Sequence, residues 1–208
     1  MSVNPGIFYR ECRERVIALV VGADEWRVVP ATPLWNVHDV LAHLSGVAHD
    51  AVTGNLDGVT TDPWTDAQVQ RGRSMSVQEL VAQWQQEGPV LDEVFASASG
   101  GTMARGVIDV LTHEADLRNA LGAPFHVPAD ALAWAADVLR RSFLERVAAG
   151  GLPPVEIACG DAAWFRGMLG RLTEHEVRGL AWSQPCDDYL DHFFSFGRAQ
   201  RSLDEGVC

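Results

Sequence analysis

The sequence predicts a mainly α protein: an antiparallel four-helix bundle followed by a small, mostly helical C-terminal domain with one or two short strands. Three observations predict it. Apolar residues recur at helical spacing through most of the 208 residues. Helix-start signatures precede several of these runs, at Asn36, at Ser76-Val-Gln-Glu79 and at Thr173-Glu-His-Glu176. Glycine- and proline-bearing breaks separate them.

Taken in order, a first helix is expected from about Ile7 to Val21, ending at Gly22, with Val16, Leu19 and Val20 on one face. Pro30 and Pro33 then break the chain. Asn36 caps a second helix reaching about Ala51, with Asp39 in its first turn, where an acid suits the helix dipole. Gly54 to Pro63 reads as a loop, followed by a short helical piece over Asp66 to Arg71. The Ser76 capping box opens a third long helix, stopped by Ser99-Gly100-Gly101 near Ala98. A fourth spans Met103 to Leu121 and halts at Gly122 and Pro124. Four helices joined in this way suit an antiparallel bundle over residues 1–125, and residues 126–208 form the second domain. In that second part a helix is expected over Ala129 to Ala149. One short strand within Pro154 to Cys159 and two short helices follow.

Composition excludes several chemistries. A net charge of −12, with no basic patch, argues against a nucleic-acid partner, which needs clustered cations. All 16 basic residues are Arg. Without a lysine there is no Schiff-base amine, no pyridoxal anchor and no Walker-type phosphate lysine. Cys12, Cys159, Cys186 and Cys208 show neither a zinc-ribbon spacing nor a disulfide framework. The first residues lack the pattern of a signal peptide, and the apolar stretch from Val16 to Val21 is too short to cross a bilayer. A cytoplasmic protein with reduced thiols is the expectation, with no membrane partner.

The chemistry concentrates in two helices. Asp109 and His113 are four residues apart, so they stand one above the other on one helix face, where a carboxylate and an imidazole can share a metal ion. His43, on the second helix among Val40, Leu44, Val47 and Ala51, is a third candidate. Taken alone it reads as a core histidine satisfied by one hydrogen bond. With Asp109 and His113 it completes two histidines and a carboxylate, a set that leaves positions open for water or substrate. The stripe Gly106, Asp109, Val110, His113, Asp116, Leu117, Ala120 is costly to bury without a purpose. The opposite face, with Val107, Leu111, Glu114 and Arg118, is no more apolar, so periodicity leaves open which of them meets solvent. Asp116, one turn past His113, is placed to orient it. Glu114 and Arg118 read as inter-helix ion pairs. His38 is expected to be exposed, and His49, about 240° round the helix from His43, should not share the site. Trp35 reads as a packing staple, and the other tryptophans are too evenly spread to form a box. His126, His175 and His192 read as structural or solvated.

Three segments carry a family resemblance: Thr32-Pro-Leu-Trp-Asn-Val-His-Asp-Val-Leu-Ala-His-Leu44, His113-Glu-Ala-Asp-Leu-Arg-Asn-Ala-Leu-Gly122 and Phe165-Arg-Gly-Met-Leu-Gly-Arg171. In order and spacing they resemble the maleylpyruvate isomerase family of mycothiol-dependent enzymes, whose N-terminal part is a DinB-like four-helix bundle. The resemblance implies a divalent metal, zinc foremost, held by His43, Asp109 and His113; the family's acid is often Glu, one methylene longer than Asp109. It also implies that Arg171 contacts an anionic substrate or thiol, although this chain has Gly-Arg-Leu where homologues commonly carry Gly-Arg-Arg. Read without the resemblance, Arg171 is a solvated helix-end arginine. The mixed α/β stretch usual before this segment is abbreviated here.

The function these expectations define is a metal-dependent enzyme, an isomerase or transferase, with His43, Asp109, His113, Asp116 and Arg171 as its working residues. It would use a mycothiol-like thiol cosubstrate to isomerise or S-conjugate a small electrophilic substrate, as a monomer or homodimer. Two alternatives stand beside it. One is a non-catalytic DinB-like protein that binds metal or a small molecule. The other is a non-haem iron enzyme, since two histidines and a carboxylate also describe a facial triad, although a helical D-x-x-x-H spacing is unusual for it.

Overall fold

The computed structural model describes residues 3–98 and 101–207, and the chain divides into two compact units, Met1–His126 and Val127–Cys208. The chain as a whole is mainly helical. The glycine stop expected at Ser99 and Gly100, and Cys208, lie outside the described residues.

The first unit holds α1 (Pro5–Val20), α2 (Val37–Thr53), α3 (Asp62–Gly72), α4 (Val77–Phe95) and α5 (Gly101–Ala120). Local chemistry sets most of the starts. Asn4 accepts from the Gly6 amide, and Pro5 occupies the first turn of α1, where its missing N–H costs nothing. Reciprocal capping boxes open α2, between Asn36 and Asp39, and α4, between Ser76 and Glu79. α4 ends at Phe95, earlier than the break expected near Ala98.

The largest departure from the sequence expectation is α3. It begins at Asp62, within what reads as loop, because Pro63 sits in its first turn and starts the helix instead of breaking it. This gives a full helix of 11 residues packed on α2.

α1 packs on α4 and α5, while α2 packs on α4, α3 and α5. The core between them contains Val16, Leu41, Trp84, Leu91, Val107 and Leu111. Trp84 Nε1 donates to Tyr9 Oη at 2.9 Å, so both buried polar atoms find a partner. Gly106 permits the α4–α5 approach: a Cβ there would stand 2.7 Å from the Phe95 ring. From Val110 to Leu117 every residue of α5 is buried. That explains why periodicity did not separate its two faces.

In the second unit α6 (Ala129–Ala149) is followed by β1 (Ile157–Ala158), α7 (Asp161–Met168), α8 (Glu174–Arg178), β2 (Ala181–Trp182), a 3-10 turn (Asp187–Tyr189) and α9 (Leu190–Phe193). The expected strand contracts to two residues and gains an antiparallel partner, with Ile157 opposite Trp182 and Ala158 opposite Ala181. Phe143 of α6 gathers Trp164, Trp182 and Phe193 around it, with ring centroids 5.6–6.3 Å away. The even spread of tryptophans in sequence therefore does not hold in space; these aromatics are the core of the unit. Arg166, fully buried, meets the Glu205 carboxylate through two hydrogen bonds of 2.7 and 2.6 Å. Among the described residues no helix is long and apolar enough to cross a membrane.

Candidate metal centre

His43 stands two turns into α2, and the Asn36–Asp39 box fixes where those turns begin. Asp39 also accepts from Arg73 at 3.0 Å, tying the start of α2 to the end of α3. On α5, Asp109 and His113 face His43. His43 Nε2 lies 3.1 Å from Asp109 Oδ2, and His113 Nε2 lies 3.5 Å from Asp109 Oδ1. One ligand atom from each of the three residues lies within 4.8 Å of the other two, and the group could hold a metal ion.

The donors fit such an ion. Zinc bonds of about 2.0–2.1 Å at tetrahedral angles separate neighbouring ligand atoms by about 3.3 Å. The two measured separations fall on either side of that figure. Both imidazoles are buried, whereas the Asp109 side chain is 38% exposed, so the group opens on the Asp109 side.

Each histidine is supported behind its metal-facing atom. His43 Nδ1 lies 2.8 Å from Gln68 Oε1, within hydrogen-bond distance, and Gln68 Nε2 donates to Asp50 Oδ2 at 2.8 Å. Asp50, itself buried, also accepts from Arg71 at 2.6 Å. Asp116 Oδ2 stands 3.1 Å from His113 Nδ1 without an aligned hydrogen bond. Burial pulls the His43 pKa down, but the Asp109 carboxylate and the hydrogen bonds to Asp109 and Gln68 outweigh it. The net shift is upward from the usual imidazole value.

Trp35 packs on the candidate site itself. Its ring lies against both imidazoles, with centroids 5.4 Å from His43 and 5.9 Å from His113. The backbone puts it there: Val29 N donates to Trp35 O, Trp35 N to Thr32 O, and Val37 N to Arg27 O, folding the segment before α2 back onto the helix start.

His38 is not exposed. Its Nε2 is 2.8 Å from the Met75 carbonyl and its ring stacks on Trp26, because the same folded-back segment covers the first turn of α2. His49 points away from the site and pairs with Glu87 at 2.9 Å. Glu114 pairs across helices with Arg15 of α1, whereas its pair with Arg118 runs along α5 itself and joins no second helix. Arg171 belongs to the second unit, donates to the Leu169 carbonyl and lines a cleft of about 330 Å³ with Glu176, Asp204 and Glu205.

Sequence reasoning missed Gln68 and Asp50. Asp50 carried a usable signal, since it is seven residues from His43 and returns to the same face of α2. Gln68 carried none, because a side-chain amide on a short, weakly patterned helix looks like surface. No family model matches the chain, and no curated protein or solved structure matches it.

Proposed function

We propose that the first unit is a DinB-like four-helix bundle of α1, α2, α4 and α5 that holds a divalent ion, zinc in the first instance, through His43, Asp109 and His113. The observation that carries this reading is the convergence of two buried imidazole Nε2 atoms on one partly exposed carboxylate. A divalent ion so held lowers the pKa of a bound thiol or water enough to supply a nucleophile near neutral pH.

The protein's own residues prepare the place. Gln68 holds the far side of the His43 imidazole, Asp116 stands beside that of His113, Trp35 lies against both rings, and Asp109 lies on the side from which a small molecule enters. The absence of lysine removes amine catalysis as a competitor.

The resemblance to the maleylpyruvate isomerase family supports a low-molecular-weight, mycothiol-like thiol as the nucleophile. Its thiolate adds to an electrophilic alkene carbon, forming a C–S bond while the π pair moves to the conjugated carbonyl oxygen. Rotation about the new single bond and expulsion of the thiolate give cis–trans isomerisation. Protonation of the neighbouring carbon keeps the adduct and gives S-conjugation. The protein works in the cytoplasm, as a monomer or homodimer.

The test is turnover of a cis-configured α,β-unsaturated acid by metal-loaded protein with and without added thiol. Conversion that needs both metal and thiol is expected. Metal-loaded protein that turns over no thiol–electrophile pair would make this a binding protein. Iron retention with dioxygen consumption would make it a non-haem iron enzyme.

A further inference from the structure

We propose that Gln68 is a positioning residue that fixes which nitrogen of His43 keeps its proton, so that Nε2 is the atom offered to the ion; this rests on the metal reading above. The argument follows from hydrogen-bond chemistry along a buried chain of contacts. Asp50 receives Arg71 Nη2 at 2.6 Å and Asn55 Nδ2 at 2.9 Å on Oδ1, and Gln68 Nε2 at 2.8 Å on Oδ2. With donors on both oxygens, Asp50 accepts throughout, and the Gln68 amide must turn its NH₂ toward it. Its carbonyl oxygen then faces His43 Nδ1 at 2.8 Å, and an oxygen can only accept. Nδ1 therefore carries a proton, and Nε2 is the nitrogen free to give its lone pair.

The other tautomer sets a bare Nδ1 against the Gln68 carbonyl oxygen, and turning the amide to meet it sets that oxygen against Asp50; either way a fully buried amide is left with one acceptor facing another. On the Nε2 side the acceptor is Asp109, which is partly exposed, whereas the Gln68 amide on the Nδ1 side is fully buried.

The backbone is shaped for this contact. Gly46, one turn after His43, has no Cβ, and a Cβ there would stand 2.6 Å from that of Gln68. The missing side chain is what lets α3 come close enough for the amide to reach the imidazole. Gly72 does the same against Ala42 at 2.4 Å.

The experiment reads the His43 ring nitrogens by long-range proton–nitrogen correlation in labelled full-length protein, metal-free at alkaline pH, where the imidazole is neutral. It is paired with zinc titration of the same chain. Protonated Nδ1 and bare Nε2 are expected in the wild type. Q68L should lose that preference and bind zinc about 10–100-fold more weakly, the usual cost of removing such a support. The double variant D50N/Q68E restores an acceptor facing Nδ1 and a donor facing residue 68, and should recover both readouts. A wild-type His43 protonated at Nε2, or a folded Q68L with unchanged tautomer and zinc affinity, overturns the proposal. Should the wild type bind no zinc, the metal reading fails, while the tautomer still decides the role of Gln68 by itself.

Discussion

His113 and Glu114 are neighbours in the chain, yet they stand in two ionic clusters of opposite kind on the two faces of α5. Glu114 is completely buried and surrounded: Arg15 and Arg118 donate to it at 2.7–3.0 Å, and the Cys12 thiol donates at 3.1 Å. Burial tends to raise its carboxyl, but these donors overcome that and hold its pKa below the usual value. Burial also pushes the Cys12 thiol well up, with Glu114 adding to the effect, so this cysteine is an inert core residue. On the other face two imidazole Nε2 atoms converge on the Asp109 carboxylate, and that cluster opens to solvent. Charge is matched and sealed on the Glu114 face. On the His113 face donors are gathered and left facing one point. The first arrangement holds helices together; the second suits a ligand that is itself a cation.

The largest effect should come from His113→Ala. Zinc binding, followed by calorimetry, should be lost, with helix content unchanged because Ala is a better helix former. Unaltered metal binding would reduce Asp109 and His113 to an ordinary pair on one helix. Next, Glu114→Gln should lower stability by about 3 kcal/mol in denaturant unfolding, since it removes one partner of a buried ion pair. Zinc affinity in this variant should stay that of the wild type. A shift in metal affinity with no loss of stability would invert the comparison.

The two faces should also respond oppositely to pH. Glu114 has a lowered folded pKa, so its stabilisation is complete above the unfolded value of 4.5 and disappears as pH falls through the folded value. His43 has a raised folded pKa. Its contribution to the metal-free protein is complete below the unfolded value of 6.5 and is lost as pH rises through the folded one. Zinc and the proton compete for Nε2, so zinc affinity should climb over that same upper range. Unfolding curves of the wild type, Glu114→Gln and His43→Ala across pH separate the limbs. Glu79, Glu176 and Asp187 also have lowered values and keep part of the acid limb, so an acid limb undiminished in Glu114→Gln would contradict the assignment. The smallest effect is expected from Trp35→Phe, which keeps a ring over the imidazoles and should weaken zinc binding only several-fold, in line with a supporting contact.

How far the sequence revealed this comparison depended on whether the signal was local. The pairing of Asp109 with His113 was legible because both lie on one helix at one-turn spacing, and Asn36 set the phase of α2 that turns His43 inward. The role of Glu114 was legible for the same reason. What escaped depended on chain segments folding across one another. Trp35 reaches the imidazoles, and His38 is covered, through backbone hydrogen bonds of the segment before α2, which no periodicity encodes. Gln68 fell within an expected helical piece, but a side-chain amide on a short, weakly patterned helix looks like surface. In the second unit Phe143, Trp164, Trp182 and Phe193 are far apart in sequence and meet only when the chain returns on itself.

The central claim, that His43, Asp109 and His113 hold one divalent ion, is tested most directly by metal content. The full chain would be purified without an affinity histidine tag or chelator, then reconstituted with zinc and with cobalt. The account predicts one equivalent of metal per chain, and for cobalt the visible absorption of a low-coordinate site with nitrogen and oxygen ligands, both absent in His43→Ala. No bound metal after reconstitution, or equal binding by that variant, would contradict it.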